Sequence, residues 1–139
     1  MTAPIPPDLQ CALLCEDVRL EASGANTLVG VMHLIASPGL PVRVMKFCVY
    51  TRWCNGVGTY TQTTRILSPE DDEAELTRTE TPFKLLSEDS HATNVAVFGG
   101  VEFGSVGDYP VEILLDGDLI LRFPLRVMVV GNPPNTGVN

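Results

Sequence analysis

The residues of this chain best suited to do chemistry are its four cysteines. Cys11 and Cys15 stand four apart, and Cys48 and Cys54 six apart. In an extended chain even spacings send each pair to a single face, so a site of four thiolates around zinc is conceivable. The spacing works against it. Structural zinc sites draw ligands from tight C-x2-C knuckles, and strand residues four apart lie about 13 Å from one another. A free cysteine also packs as a small hydrophobe. The expectation is reduced, buried thiols, with no metal and no cofactor.

Three other constellations carry chemical potential. The run Glu70-Asp71-Asp72-Glu73-Ala74-Glu75 offers oxygens of the kind Ca²⁺ takes. Asp108, Asp116 and Asp118 in other loops would be able to join it. It lacks the Asp-x-Asp-x-Asp-Gly spacing of a calcium loop, and a solvated charge run is the simpler reading. The histidines are His33, inside an apolar segment, and His91, in the polar stretch Ser87-Glu-Asp-Ser-His91. Nucleophilic catalysis needs an oriented base within reach of a nucleophile, and sequence adjacency of Ser90 to His91 does not provide that. No nucleophile elbow, phosphate loop or H-E-x-x-H is present, so the chain is expected not to be an enzyme. Finally, Arg52 and Trp53 precede Asn55-Gly56, and Tyr60 follows it. An aromatic and an arginine at one loop end suit recognition, although Trp53 also fits a core position. Arg52, Trp53, Tyr60, Asp71 and Asp72 are therefore the candidate binding residues.

The elements that must position these side chains are strands. Eight are expected, at about 10–21, 27–36, 43–54, 58–67, 79–86, 93–103, 109–115 and 119–130. Turn residues separate most of them, among them Ser23-Gly24-Ala25-Asn26 and Ser37-Pro38-Gly39-Leu40-Pro41. Asn55-Gly56 predicts a tight hairpin. Only 69–76 is compatible with a helix, and with one short turn at most. Short strands with regular turns predict an all-β, single-domain, two-sheet antiparallel β-sandwich of seven or eight strands.

Patterning ranks the strands. The segment 27–36 is apolar on both faces, as a central or covered strand would be. In 93–103 the odd positions Val95, Val97, Val101 and Phe103 form an inward face that Gly99-Gly100 interrupts as a bulge or bend. Thr59 to Thr64 offers little to bury, which makes 58–67 the expected edge. Glu16 falls on the apolar side of the first strand. A buried carboxylate needs a partner, so either an arginine of a neighbouring strand supplies one or Glu16 is reached through a bulge.

The closing segment predicts a hairpin around Asp116-Gly117-Asp118. Val111, Ile113 and Leu115 must share a face with Leu119, Leu121 and Phe123, so a loop of odd length is required. A three-residue loop, Leu115-Asp116-Gly117, follows, with Gly117 left-handed in a bulge. Ile113 would then oppose Leu119, and Val111 would oppose Leu121. Pro124 must lie at a bulge or an edge, where its missing N–H is not needed.

Composition sets the outer limits. A chain of 139 residues with 45% hydrophobic residues buries roughly two-thirds of its unfolded surface, enough for one core. The expected domain runs from 9 to 130, between flexible tails at 1–8 and 131–139 that are rich in Pro, Gly and Asn. A net charge of −8 argues against nucleic acid and against an anionic membrane surface. No stretch approaches the ~20 apolar residues of a membrane helix. Residues 1–8 lack the pattern of a secretory signal, so a cytoplasmic location is expected.

Several motifs recur together: Cys15-Glu16-Asp17-Val18-Arg19, Thr27-Leu28-Val29-Gly30-Val31, Gly107-Asp108-Tyr109 following Phe103, and Asp116-Gly117. In this layout the chain, from about 10 to 130, resembles a family of small bacterial β-sandwich proteins with C2-like or immunoglobulin-like strand patterns. The resemblance implies a stand-alone sandwich and assigns no activity. The function expected is a non-catalytic interaction module with a protein or other macromolecular partner. The alternatives are a Ca²⁺-dependent binding domain, or a subunit of a homo-oligomer joined through an edge such as 58–67.

Overall fold

Alternating apolar and polar side chains shape nine strands in the computed structural model, which describes residues 3–131. They are β1 (Asp8–Leu20), β2 (Asn26–Met32), β3 (Leu34–Ser37), β4 (Val42–Cys54), β5 (Gly58–Leu67), β6 (Glu75–Leu85), β7 (Ala92–Phe103), β8 (Gly107–Leu115) and β9 (Asp118–Val129). They form a four-stranded sheet, β2-β1-β4-β7, and a five-stranded sheet, β3-β9-β8-β5-β6. One sheet curls into a half-barrel, and there is no helix among the described residues. The segment 68–74 is a string of bends closed by the Ala74 N–H donating to the Asp71 carbonyl.

The chain is all-β, with one more strand than the eight expected. The reason is local. Segment 27–36 breaks at His33: β2 pairs with β1, and β3 crosses to the other sheet and runs parallel to β9. This one parallel pair departs from a purely antiparallel arrangement. Nor is 27–36 central, because β2 is the outer strand of its sheet. On β2, Met32 packs against the core while Val31, on the other face, is exposed.

The expected edge at 58–67 is likewise corrected. β5 lies between β8 and β6, and its threonines and glutamine are buried by a polar network. Gln62 Oε1 accepts from Trp53 Nε1 (2.7 Å), Thr51 Oγ1 (2.9 Å) and Asn94 Nδ2 (2.9 Å), and Gln62 Nε2 donates to Thr64 Oγ1 (2.7 Å). Polar groups of β4, β5 and β7 thus satisfy one another inside the core. Asn55-Gly56 is not a hairpin turn. It carries the chain from one sheet to the other, and the adjoining Val57 exchanges backbone hydrogen bonds with Ile5.

Two strands change face at one place. On β7 the inward residues are Asn94, Ala96 and Phe98, then Val101 and Phe103, so Val95 and Val97 face outward instead of inward. β4 does the same, passing from Val42 and Val44 to Phe47, Val49, Thr51 and Trp53. The ladder skips the opposed pair Met45 and Gly100, with Gly100 at φ +68°. Because both strands take one extra residue together, the register is unchanged and both twist.

The closing hairpin has a two-residue loop, Asp116-Gly117, with Leu115 opposite Asp118. Both loop residues have positive φ, 47° and 86°, the requirement of a type I′ turn. The register expected from a three-residue loop is overturned, since Ile113 opposes Leu121 and Val111 opposes Phe123. The odd residue is Ile120, bulged between Leu119 and Leu121. Pro124 lies on the part of β9 that has no paired strand on its far side among the described residues.

The core between the sheets centres on Trp53, Phe47, Phe98, Phe103, Tyr109, Ile66, Ile113 and Leu125. Phe103 meets the Tyr109 ring edge-on at 5.0 Å. The Tyr109 hydroxyl donates to the Ser105 carbonyl at 2.8 Å, the hydrogen bond of a tyrosine corner. At the N-terminus Ile5 is paired, Pro7 is buried and Asp8 begins β1, so the ordered chain starts before the expected boundary at 9. Residues 132–139 of the expected C-terminal tail lie outside the described residues, as do residues 1 and 2.

Candidate interaction surface

The five residues singled out from the sequence do not form one surface. Trp53 is fully buried and stacks on Phe83, and Tyr60 is buried with its hydroxyl donating to the Val57 carbonyl at 2.8 Å. Arg52 points the other way, outward from β4. Its Nε donates to Thr93 Oγ1 (3.2 Å), and its guanidinium sits 5.8 Å from the centre of the Tyr50 ring. Asp71 accepts from the Glu73 N–H, and Asp72 pairs with Arg122 at 2.9 Å. Of the other loop carboxylates, Asp108 pairs with Arg126 and Asp116 accepts from the Thr61 N–H. Glu16 is exposed and has no ion pair among the described residues; the salt bridge of this strand belongs to Asp17 and Lys46, at 2.8 Å. Glu16 lies instead over Gly30, whose missing Cβ leaves it room.

The cysteines come together in a way that spacing within strands did not show. Cys15 of β1 and Cys48 of β4 are direct cross-strand partners. Both are buried free thiols, and Cys11 and Cys54 are half-buried. Burial, reinforced by the neighbouring Cys48 thiol and by Asp17, pushes the Cys15 pKa up to about 11. Burial also raises that of Cys48. These thiols stay protonated at neutral pH and are poor nucleophiles and poor metal ligands. No three potential metal ligands converge among the described residues.

What surrounds the pair is more informative. Across the outer face of the four-stranded sheet, Val31, Cys15, Cys48 and Val97 form one row. Leu13, Tyr50 and Val95 form the next. Val31, Val97 and Leu13 are 58%, 53% and 40% exposed. On the other side the row Val29, Asp17, Lys46 and Gly99 closes the patch. Asp17 and Lys46 pair at this margin at 2.8 Å.

The outer face of the five-stranded sheet is built on the opposite plan. Glu112, buried on β8, is held between Arg65 of β5 (2.7 Å) and Arg122 of β9 (3.4 Å). Glu75 and Asp72 extend the chain of charges through Arg78, Arg65 and Arg122. One outer face is therefore finished with an ion network, and the other with valine, leucine and cysteine. Sequence reasoning missed the second because it assigned Val95 and Val97 to the core. The signal lay in the doubly apolar segments 11–15 and 27–32.

Fold and surface together define an all-β domain of two sheets with one polar and one apolar outer face. The chain belongs to a family of unknown function, DUF6941, whose model matches residues 10–128. No curated protein matches it. No helix among the described residues is long and apolar enough to cross a membrane.

Proposed function

We propose that this protein is a non-catalytic interaction module that binds a protein partner through the outer face of its four-stranded sheet. The observation that carries the reading is the exposure of Val31, Val97 and Leu13 around the buried Cys15, Cys48 and Tyr50 on this face. A sheet facing water on one side normally alternates apolar with polar, as the five-stranded sheet does here with its ion network. Apolar side chains on both faces of an outer strand make sense when a second molecule covers one of them.

In this reading the domain is a cytoplasmic bacterial β-sandwich of C2-like or immunoglobulin-like strand pattern. The tyrosine corner at Tyr109 supports that finer description. Binding is tested by affinity capture from the native host with the wild-type chain and a Val31→Asp/Val97→Asp variant in parallel. Both substitutions fall at exposed positions, and a thermal melt checks that the variant folds. A partner held by the wild type and lost from the folded variant supports the proposal. Identical captured sets overturn it.

A further inference from the structure

A cleft of about 540 Å³ opens where the β1–β2 hairpin meets the outer face of the four-stranded sheet. Val18, Leu20 and Asn26 of the hairpin line one wall. Arg52 of β4, Thr93 and Val95 of β7, and His91 just before β7 line the other. The strand register alone would keep these walls apart. Arg52 lies opposite Cys11, and Val18 stands seven residues further along β1, about 23 Å away in a straight strand. The ladder between β1 and β4 ends at Cys15 and Cys48, whereas β1 and β2 stay paired as far as Leu20 and Asn26. Beyond Cys15 the hairpin is therefore an arm of two strands, and it curls back over the outer face to form the cleft.

From the side chains that this arm and the sheet bring together we infer that the cleft binds a carboxylate carrying a small apolar group. Its polar groups are donors. Arg52 is held at its root: Nε donates to Thr93 Oγ1 at 3.2 Å, and the guanidinium sits 5.8 Å from the centre of the Tyr50 ring. Its two terminal nitrogens have no hydrogen bond or ion pair among the described residues. In this they differ from Arg65, Arg78, Arg122 and Arg126, all paired with carboxylates of the chain itself. Thr93 accepts from Arg52 and so keeps its own O–H to donate, while Asn26 adds an amide and His91 an imidazole N–H. No Asp or Glu lines the cleft, in a chain that has 17 of them. The nearest in sequence, Glu21 and Asp89, are exposed. A guanidinium fixed at Nε presents the planar fork that matches the two oxygens of a carboxylate. One arginine among neutral donors suits a single negative charge. Val18, Leu20 and Val95 supply an apolar wall for the rest of the ligand, and Leu20, now 77% exposed, would be covered by it. Val95 belongs to the face proposed for a protein partner, but occupation of the cleft does not rest on that reading.

Titration of the isotope-labelled full chain with sodium hexanoate, followed by two-dimensional NMR, tests it. Saturating shifts are expected at the backbone amides of Asn26, Arg52, Thr93 and Val95 and at Arg52 Nε–H, with a Kd in the millimolar range for so small a ligand. Hexanamide, which has the same alkyl chain and no charge, is expected to bind at least about tenfold more weakly. Arg52→Gln is expected to lose at least about tenfold in hexanoate affinity. Arg43→Gln, which removes a positive charge from an exposed position elsewhere on β4, is expected to leave it unchanged. A melting temperature checks that Arg52→Gln folds, and the hexanamide comparison on the wild type decides the matter if it does not. Acetyl-Gly-Gly-Leu with a free C-terminus offers the same chemistry on a peptide. Tighter binding than hexanoate assigns the carboxylate to a chain end, and weaker binding assigns it to a free acid. The inference is overturned by the absence of saturable shifts up to about 20 mM hexanoate, or by shifts that fall away from the cleft. Equal binding of hexanamide, or undiminished affinity in a folded Arg52→Gln, overturns it as well.

Discussion

At the scale of residues, the polar interior is the least expected feature. Gln62 Oε1 accepts hydrogen bonds from three side chains on two other strands. Removing it strands Trp53 Nε1–H and the Asn94 amide without an acceptor, while the Thr51 hydroxyl keeps the Asn94 carbonyl at 3.1 Å. Gln62→Ala is expected to destabilise the fold by roughly 2–4 kcal/mol, measured by urea unfolding. Tyr109→Phe, which loses the bond to the Ser105 carbonyl and the weaker ones from the Ser105 N–H and hydroxyl, should cost about 1–2 kcal/mol. The thiols divide by environment. Cys15 and Cys48 are buried and held protonated, whereas Cys11 and Cys54 are only half-buried. Brief alkylation at neutral pH, read by peptide mass spectrometry, should label Cys11 and Cys54 and spare the buried pair. Labelling of Cys15 first would contradict this account of its surroundings. The polar network was not legible beforehand, because Gln62 finds its partners at positions 51, 53 and 94. Only the fold brings them together.

At the scale of elements, alternation was legible and its interruptions were not. The strand positions were readable because turn residues and period-two patterns mark them locally. The closing hairpin shows where such reading stops. Alternation demands one extra residue between Leu115 and Leu121, and the chain supplies it. The pattern is satisfied equally by a longer loop or by a bulge beyond a shorter one, and Gly117 is left-handed in both. The type I′ geometry of Asp116-Gly117 prevails, with the Asp116 carboxylate accepting from the Thr61 N–H at 2.8 Å. Gly117→Ala, placing a Cβ at φ +86°, should therefore cost about 1 kcal/mol, again by urea unfolding. The apolar outer face was missed for a related reason. The shared bend at Met45 and Gly100 turns Val95 and Val97 outward, and a strand's face can be assigned from sequence only as far as its next irregularity.

At the scale of the whole molecule, charge sets the pH response. Lys46 beside Asp17, and Arg126 beside Asp108, hold these two carboxyls below the usual aspartate range. Around and below pH ~4 the unfolded chain thus binds more protons than the folded one. The stability these pairs contribute is present above the unfolded aspartate pKa and is lost as pH falls through the lower folded values. Asp17→Asn and Asp108→Asn should each flatten the acid limb, seen as a smaller drop in melting temperature between roughly pH 5 and pH 3. Both pairs are solvent-exposed, so added salt should shrink the difference. The break at His33 bears on how this molecule comes into being. β3 is made long before β9, yet β9 is its only strand partner among the described residues. While the ribosome is still translating β8, β3 lacks its pairing strand, and the five-stranded sheet is incomplete. Folding must wait for the C-terminal strand, and a growing chain carries its exposed apolar segments until then.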